Sequence, residues 1–249
     1  MILRRITEHV KAQNWFAVAI DFVIVVVGVF VGLQVSNWNA ARADRSREAG
    51  YLAGLAQDIR IDIADIDEII RVSSLRMSAM SYLLEQAGGA PLPDGFDSAR
   101  GRIAIEPSPA YDASDPNTIG IAMFILTTLD GNRLTYDTMI NAGGIGIIRD
   151  TAMAREIQTY YAHVDKALSF EEALGQSRVE LVGAQQEAGL SPVDASEADD
   201  LAALFRSDPK MLAAAKNYWL YTNRHLKDMK TLRDEAERLA GRLESGARP

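Results

Sequence analysis

The sequence predicts an all-α protein, in which a single N-terminal transmembrane helix precedes an antiparallel helical-bundle domain with two long helices. Three observations support this fold class. Residues 15–35 form one apolar run, an apolar stripe at helical spacing covers residues 52–84, and a second stripe covers residues 211–239. We therefore divide the chain into a short tail (1–14), a transmembrane helix (15–38) and an α-helical extramembrane domain (39–249).

The apolar run is long enough to cross a bilayer. Its 21 residues, from Trp15 to Val35, span ~32 Å as an α-helix, close to the thickness of the hydrocarbon core. Fourteen of them are Val, Ile, Leu or Phe, which favour insertion by roughly 4–8 kcal/mol, whereas Asp21 opposes it by at most ~3 kcal/mol. Trp15 and Trp38 are expected to anchor the two ends, because indole rings prefer the headgroup region.

A cleaved signal peptide is the competing interpretation of this segment. Arg4, Arg5 and Lys11 would form its basic region, and residues 41–43 its small-residue cleavage site. Signal peptides have apolar regions of only ~7–15 residues, so we expect an uncleaved anchor. Three basic residues lie on each side of the span, so positive charge does not decide the orientation. A short basic N-terminus usually stays in the cytoplasm, which would leave the domain on the opposite side.

One face of the predicted span carries small and polar residues. Six positions at alternating steps of four and three form what we call the seam: Asp21, Val25, Gly28, Gly32, Val35 and Asn39. The two glycines make a GxxxG motif, which lets helix backbones approach closely in lipid, and a buried acid in lipid needs a partner. We expect the seam to contact a second copy or another membrane protein. The alternative is a GxxxG that arises by chance and an acid that reaches the headgroups.

The extramembrane domain is predicted to begin with a long amphipathic helix. Apolar residues recur every three or four positions from Leu52 to Leu84, so one stripe persists for about nine turns. Four acids fall mostly off the stripe and are expected in solvent: Asp58, Asp62, Asp65 and Asp67. Gly88-Gly89 should end the helix. Five prolines then make residues 88–117 a loop-like excursion.

Helices are expected to resume near residue 118. The apolar stretch 119–129 and a short segment at 133–142 precede a helix that begins after the N-cap Asp150 and continues as far as Glu187. Two more helices are expected to open at Ser191-Pro192 and Asp208-Pro209, with proline at the first helical position. The last one should run to about residue 244, which makes it the second long helix.

No catalytic, cofactor or metal site is predicted. The chain has no cysteine, and no second histidine lies three or four residues from His163. Residues 143–146 lack the spacing of a nucleotide-binding loop and should form a tight connection. The paired acids Glu171-Glu172 are expected on a solvated face, and the cluster Tyr218-Trp219-Tyr221 is expected mainly in the core.

Charge argues against nucleic acid as a partner. Residues 1–49 hold six Lys/Arg against four Asp/Glu, whereas the whole chain carries a net charge of −8. Residues 50–249 therefore carry −10, and an acidic domain is repelled by phosphate backbones and anionic lipid.

Two motifs carry a resemblance to a known family. The first is an acid, a Val/Ile-rich span with glycines and a Gln-x-x-Asn-Trp-Asn motif, found in Asp21, Gly28, Gly32 and residues 34–39. The second comprises Tyr136, a glycine pair at 143–144 and a tyrosine pair at 160–161. The chain resembles an uncharacterised bacterial family of single-span membrane proteins. The resemblance implies a membrane anchor and a helical domain but no activity. We expect the anchor in the bacterial inner membrane, and an uncleaved anchor with a short basic N-terminus would put the domain in the periplasm.

The function expected from these observations is that of a non-enzymatic, single-pass, membrane-anchored interaction or accessory protein. Its expected partners are the bilayer and either another membrane protein or a second copy. The alternative is an extracytoplasmic ligand-sensing domain that signals through a partner, because the tail before the span has only 14 residues and no output module follows the domain.

Overall fold

The computed structural model describes residues 15–88, 105–107, 109–112, 114, 119–191 and 198–247, with side chains from Ala19 onward. The predicted tail, the Trp15 side chain and most of the predicted excursion at 88–117 lie outside this part. Every regular element among the described residues is a helix, which confirms the all-α fold class.

The described chain forms six α-helices and one 3-10 turn. They are α1 (Trp15–Gln86), α2 (Ile119–Phe124), α3 (Leu134–Asn141), the 3-10 turn Ile145–Ile147, α4 (Thr151–Glu187), α5 (Ala198–Ser207) and α6 (Pro209–Gly246). The chain divides after Gly50 into two compact units, Met1–Gly50 and Tyr51–Pro249.

In the first unit, α1 presents an apolar surface that no other described part of the unit covers. Residues 19–47 are all exposed, although most of them up to Val35 are aliphatic or aromatic. Among the described residues, α1 is the one helix that is long and apolar enough to cross a membrane, and none of its most apolar 18-residue stretch is buried. The described part of the first unit thus has the length and composition of a transmembrane helix.

In the second unit, α4 runs parallel to the end of α1. Near its start, the Tyr160 hydroxyl donates a hydrogen bond to Asp62 of α1 at 2.7 Å. Eleven residues further along both helices, Ser73 and Glu171 meet the two ring nitrogens of the same histidine, His225 of α6. Because the two contacts are separated by the same number of residues in α1 and in α4, the two helices run parallel.

The last helix, α6, runs in the opposite direction. Trp219, near its start, donates from its indole nitrogen to Ser81 of α1 at 2.8 Å. Glu244, near its end, pairs with Arg60 at 2.9 Å. The predicted second long helix is therefore present, and the structure adds α4, which has 37 residues, as a third.

Residues 119–150, which we call the connecting segment, lie between α1 and α4 and run antiparallel to both. Arg178 of α4 donates to the Phe124 carbonyl at 3.2 Å, and the Leu129 amide donates to Glu171 one to two turns earlier in α4. The segment contains α2, α3 and the 3-10 turn, joined by extended chain. The domain is thus an up–down–up–down bundle whose second layer is only partly helical.

Two apolar clusters fill the bundle, one at each end. The first draws on residues 52–69 of α1, 153–167 of α4 and 229–243 of α6, and the second on residues 77–87, 174–184 and 211–226. The predicted apolar stripe of α1 is confirmed, since Leu55, Ile59 and Ile66 are fully buried. The stripe faces both other long helices, which explains its length.

The prediction that the acids of α1 are solvated is wrong for two of them. Asp58 and Asp62 are buried, because with Gly54 they form a row at four-residue spacing that faces the connecting segment. Asp58 accepts from the Thr135 amide at 2.8 Å, and Asp62 accepts from the Asn132 amide at 2.8 Å. The carboxylates thereby satisfy backbone donors that no helix pairs.

Gly54 allows the connecting segment to lie close to α1. A Cβ at this position would come within 2.8 Å of the Thr135 side chain. Gly131 serves the turn that precedes α3, because its φ of 65° lies in the left-handed region that other residues rarely adopt. Both glycines therefore shape the same stretch of chain.

The helix ends follow the predicted capping signals. The Asp150 side chain accepts hydrogen bonds from two backbone amides in the first turn of α4, and the Asp208 side chain does the same at the start of α6. Arg206 donates to the carbonyl of Gln86, the last residue of α1, at 3.1 Å. Residues 192–197, where another helix was expected to open, lie outside the described part. The apolar stretch 119–129 is helical only to Phe124, because Leu129 gives its amide to Glu171 instead of a helical carbonyl.

We expect Asp62→Ala to destabilise the domain by roughly 2–4 kcal/mol, because it leaves the Asn132 amide and the Tyr160 hydroxyl buried without acceptors. Asp67→Ala is the matched control, since Asp67 lies on the same helix and pairs with Arg233 at the exposed surface; it should cost less than about 1 kcal/mol. Urea unfolding of the full chain in detergent, followed by tryptophan fluorescence, measures both losses. Equal losses in the two variants would contradict the role of Asp62.

We also expect Asp62 to make stability depend on pH. Burial raises the pKa of its carboxyl above 3.8, with smaller contributions from Asp65 and Asp58, although the Tyr160 and Asn132 hydrogen bonds oppose the rise. Between 3.8 and the raised pKa, the folded state binds more protons than the unfolded state, so the free energy of unfolding falls as pH rises through this window. The free energy of unfolding of the native chain, minus that of Asp62→Asn, should fall in the same way. A difference in free energy of unfolding that stays constant or rises with pH would contradict this prediction.

Candidate functional site

The structure places the six seam residues on one exposed face of α1. At ~100° per residue, they fall within a strip about 80° wide. Val25 and Val35 are 63% and 52% exposed, and a Cβ at Gly28 or Gly32 would meet nothing within 4 Å. The backbone between Asp21 and Asn39 is thus open to close approach, while its contact with a partner helix stays a prediction.

Trp38 lies on a different face from the seam. It is exposed, and the guanidinium carbon of Arg42 lies 5.9 Å from its ring centroid. A cation above an indole ring is an arrangement suited to the headgroup region, where both groups are solvated. The anchoring role of Trp38 remains a prediction.

The second candidate site is a layer of polar side chains between the two apolar clusters of the domain. We call it the polar layer and define it by Ser73, Arg76, Glu171, Tyr218, Thr222 and His225, all of them buried. They come from α1, α4 and α6, so every long helix contributes. Burying a charge is costly unless it is paired and hydrogen-bonded, so this layer is an exception to the surrounding apolar core.

A chain of hydrogen bonds runs through the polar layer. His225 Nε2 lies 3.0 Å from a carboxylate oxygen of Glu171. His225 Nδ1 lies 3.4 Å from the Ser73 hydroxyl, which accepts from Arg76 Nη2 at 3.3 Å. At the other end, both oxygens of Glu171 lie 3.1 Å from the Leu129 amide. Arg76 is thereby linked to the connecting segment.

Arg76 is the least satisfied member of this layer. It is fully buried, yet its Nε and Nη1 have no hydrogen-bond partner among the described residues. The guanidinium carbon lies 5.8 Å from the ring centroid of Tyr218. The Tyr218 and Thr222 hydroxyls also lack partners in the described chain. The polar layer therefore holds several buried donors and has no free carboxylate to receive them.

Charge in the polar layer is biased toward positive. Burial lowers the pKa of Arg76, and the neighbouring Tyr218 hydroxyl opposes this most strongly; the charge of Arg178 adds to the lowering, and that of Glu171 opposes it. Burial raises the pKa of Tyr218, and the charges of Arg76 and Arg178 oppose that rise. Two guanidinium groups thus act on a region where the single carboxylate is already engaged.

The tyrosines named in the resemblance meet in the structure. Tyr136 of α3 stacks on Tyr161 of α4 with ring centroids 4.1 Å apart. The Arg133 guanidinium lies over both rings, 5.3 Å and 5.4 Å from their centroids. Tyr160 instead turns to Asp62. These contacts hold α3 against α4, which is a structural role.

Two further expectations are resolved by side-chain positions. The expectation that Glu171 is solvated is wrong, since it is buried and accepts from Leu129 and His225; its neighbour Glu172 is exposed as expected. His163 lies near a carboxylate, as a helix histidine does, and its partner is Glu235 at 2.7 Å. In the described chain, no three acids or histidines converge as metal ligands.

The burial of Arg76, Glu171 and His225 in the polar layer was not predicted, because each of these residues looks ordinary alone. Arg76 lies within the predicted apolar stripe, next to Met77 and one turn after Ser73, and His225 sits beside Leu226 in the last stripe. Glu171 follows Leu168 by three positions and precedes Leu174 by three. Helical spacing on the apolar face was the available signal, since a polar residue at such a position is buried.

We expect Glu171→Ala to loosen the connecting segment by removing the acceptor of the Leu129 amide. Hydrogen exchange at that amide, followed by mass spectrometry on the full chain in detergent, should accelerate at least tenfold, which corresponds to about 1.4 kcal/mol. Glu172→Ala, a change at the exposed neighbour, should leave the exchange rate unchanged. Slow exchange at Leu129 in both variants would show that Glu171 does not hold the segment.

Comparison with known proteins gives one match. Residues 21–89 are similar to a family of unknown function, DUF6090. The matched range begins at Asp21 and includes the seam, Asp58, Asp62 and Arg76. No curated protein and no solved structure matches the chain. The comparison thus supports a resemblance to an uncharacterised family.

Proposed function

We propose that this chain is a non-enzymatic, single-pass membrane-anchored interaction protein that pairs through the seam of α1. The observation that carries the proposal is the uncovered apolar surface of residues 19–35, together with a length and composition that suit a bilayer. Exposure of so much apolar surface to water is unfavourable, and insertion into lipid removes it. Membrane anchoring therefore accounts for the surface without any further assumption.

The composition of the seam supports pairing rather than simple anchoring. Gly28 and Gly32 lie at its centre, where a partner backbone can approach. Asp21 and Asn39 lie 18 residues apart, which is ~27 Å along a helix and close to the two borders of the hydrocarbon. Polar groups at these depths can bond to a partner helix or to headgroups, so they favour pairing at little cost.

The proposal extends to location and role. The span lies in a bacterial inner membrane, with residues 1–14 in the cytoplasm and the acidic domain in the periplasm. The chain acts as an accessory subunit, whose partner is a second copy or another membrane protein. Support comes from the net charge of the domain, which disfavours nucleic acid and anionic lipid as partners.

Cysteine crosslinking tests the pairing face, and the chain suits it because it has no native cysteine. Val25→Cys and Val35→Cys, made singly in the full chain, should crosslink in native membranes, whereas Val23→Cys and Phe30→Cys on the opposite face should not. Adding Gly28→Ile to the Val25→Cys chain should lower the crosslinked fraction roughly 5- to 30-fold, equivalent to about 1–2 kcal/mol.

The matched control is Ala19→Ile, which adds a side chain of the same size on the opposite face of the same helix. It should leave the crosslinked fraction unchanged. Because a side chain at Gly28 meets nothing within 4 Å, a loss in Gly28→Ile reports on the partner contact. Equal crosslinking at all four cysteine positions, or recovery of the chain in the supernatant after ultracentrifugation without detergent, contradicts the proposal.

A further inference from the structure

The polar layer holds donors and charge that the protein itself does not balance. Arg76 Nε and Nη1, the Tyr218 hydroxyl and the Thr222 hydroxyl are all buried without partners in the described chain. An unpaired buried donor lowers stability, and a charged donor lowers it more. Such a group in a folded protein calls for an explanation, and a bound water or ion is one.

These donors lie on neighbouring stretches of α1 and α6. The Arg76 guanidinium lies against the Tyr218 ring at 5.8 Å. Thr222 follows Tyr218 by one helical turn and precedes His225, which reaches Ser73 on α1. The Thr222 side chain therefore points toward α1 between the two contacts, on the same side as Arg76.

Water alone satisfies the hydrogen bonds but leaves the charge. Glu171 already accepts from Leu129 and His225, so it is not free to form a hydrogen-bonded pair with Arg76. Arg178 adds a second positive charge that acts on Arg76. A buried guanidinium needs an anion within hydrogen-bond distance to offset its desolvation.

We propose that the guanidinium edge of Arg76, with the Tyr218 and Thr222 hydroxyls, is a binding site for one small monovalent anion, either a halide or an oxyanion of nitrate or formate size. The anion accepts from Nε and Nη1 and from the two hydroxyls. All four donors are fully enclosed by the bundle, so larger anions do not enter. This inference is independent of the pairing proposed for α1, and it is the feature that favours ligand sensing in the domain.

Binding at Arg76 is coupled to the connecting segment. The hydrogen bonds from Arg76 through Ser73 and His225 to Glu171 end at the Leu129 amide. An anion that fixes the guanidinium therefore also stabilises the acceptor of that amide. Hydrogen exchange at the Leu129 amide therefore reports on anion binding at Arg76.

The test is a thermal unfolding titration of the full chain in a neutral detergent. Chloride, nitrate or formate replaces gluconate at constant ionic strength, because gluconate is too large for the site. Each small anion should give a saturable rise of a few degrees in the unfolding midpoint and should slow exchange at Leu129 several-fold. Chloride-35 line broadening that nitrate reverses measures the binding directly.

Three variants separate the site from general salt effects. Arg76→Met should abolish the anion dependence of the midpoint, and Tyr218→Phe should raise the half-saturating concentration several-fold. Arg224→Met, the same change at the exposed surface of α6, should behave as the native chain does. If Arg76→Met does not fold, Tyr218→Phe and the chloride-35 signal still decide.

The proposal is overturned by any of three results. A midpoint and a line width that do not respond to small anions would assign water to the site. An effect of gluconate equal to that of chloride would assign the response to ionic strength. A response that persists at native half-saturation in both Tyr218→Phe and Arg76→Met would place binding elsewhere in the chain.

Discussion

The domain depends on how the backbone amides of the connecting segment are satisfied. This segment crosses the bundle as the second of four layers, but much of it is neither helix nor strand, so its N–H groups have no regular partners. Three buried carboxylates accept them: Asp58 and Asp62 from α1 and Glu171 from α4. Because these acceptors belong to the two parallel helices, the same bonds that hold the segment also set the distance between α1 and α4.

The polar layer adds register to this arrangement. Apolar clusters above and below it would tolerate a helix that slides by one turn, since aliphatic contacts are not directional. The chain from Arg76 to Glu171 needs one residue from each of the three long helices at a fixed height, so sliding would break it. We infer that buried polar groups are kept here for specificity as well as for the anion site, at a cost in stability.

Periodicity in the sequence predicts most of the helical architecture, because amphipathic helices of this length leave a clear pattern. It also predicts the capping at Asp150 and Asp208, since those signals are local. It fails for Asp58, Asp62 and Glu171, whose burial depends on a segment distant in the chain. A side chain at the edge of an apolar stripe is solvated or buried according to what packs over it, and single-sequence reasoning does not supply that neighbour. Arg76 escaped notice for the same reason.

The parallel course of α1 and α4 has a consequence for biosynthesis. The closing partner of the apolar stripe on α1 is α6, whose Glu237 and Glu244 reach back to Arg60 across more than 170 residues. At ~5–20 residues per second on a ribosome, the chain between them takes about 9–37 s to emerge. Throughout that interval the stripe on the nascent chain lacks the part of its native cover that α6 supplies. Aggregation and proteolysis therefore compete with folding most strongly before the final helix is made, so quality control acts on a late step.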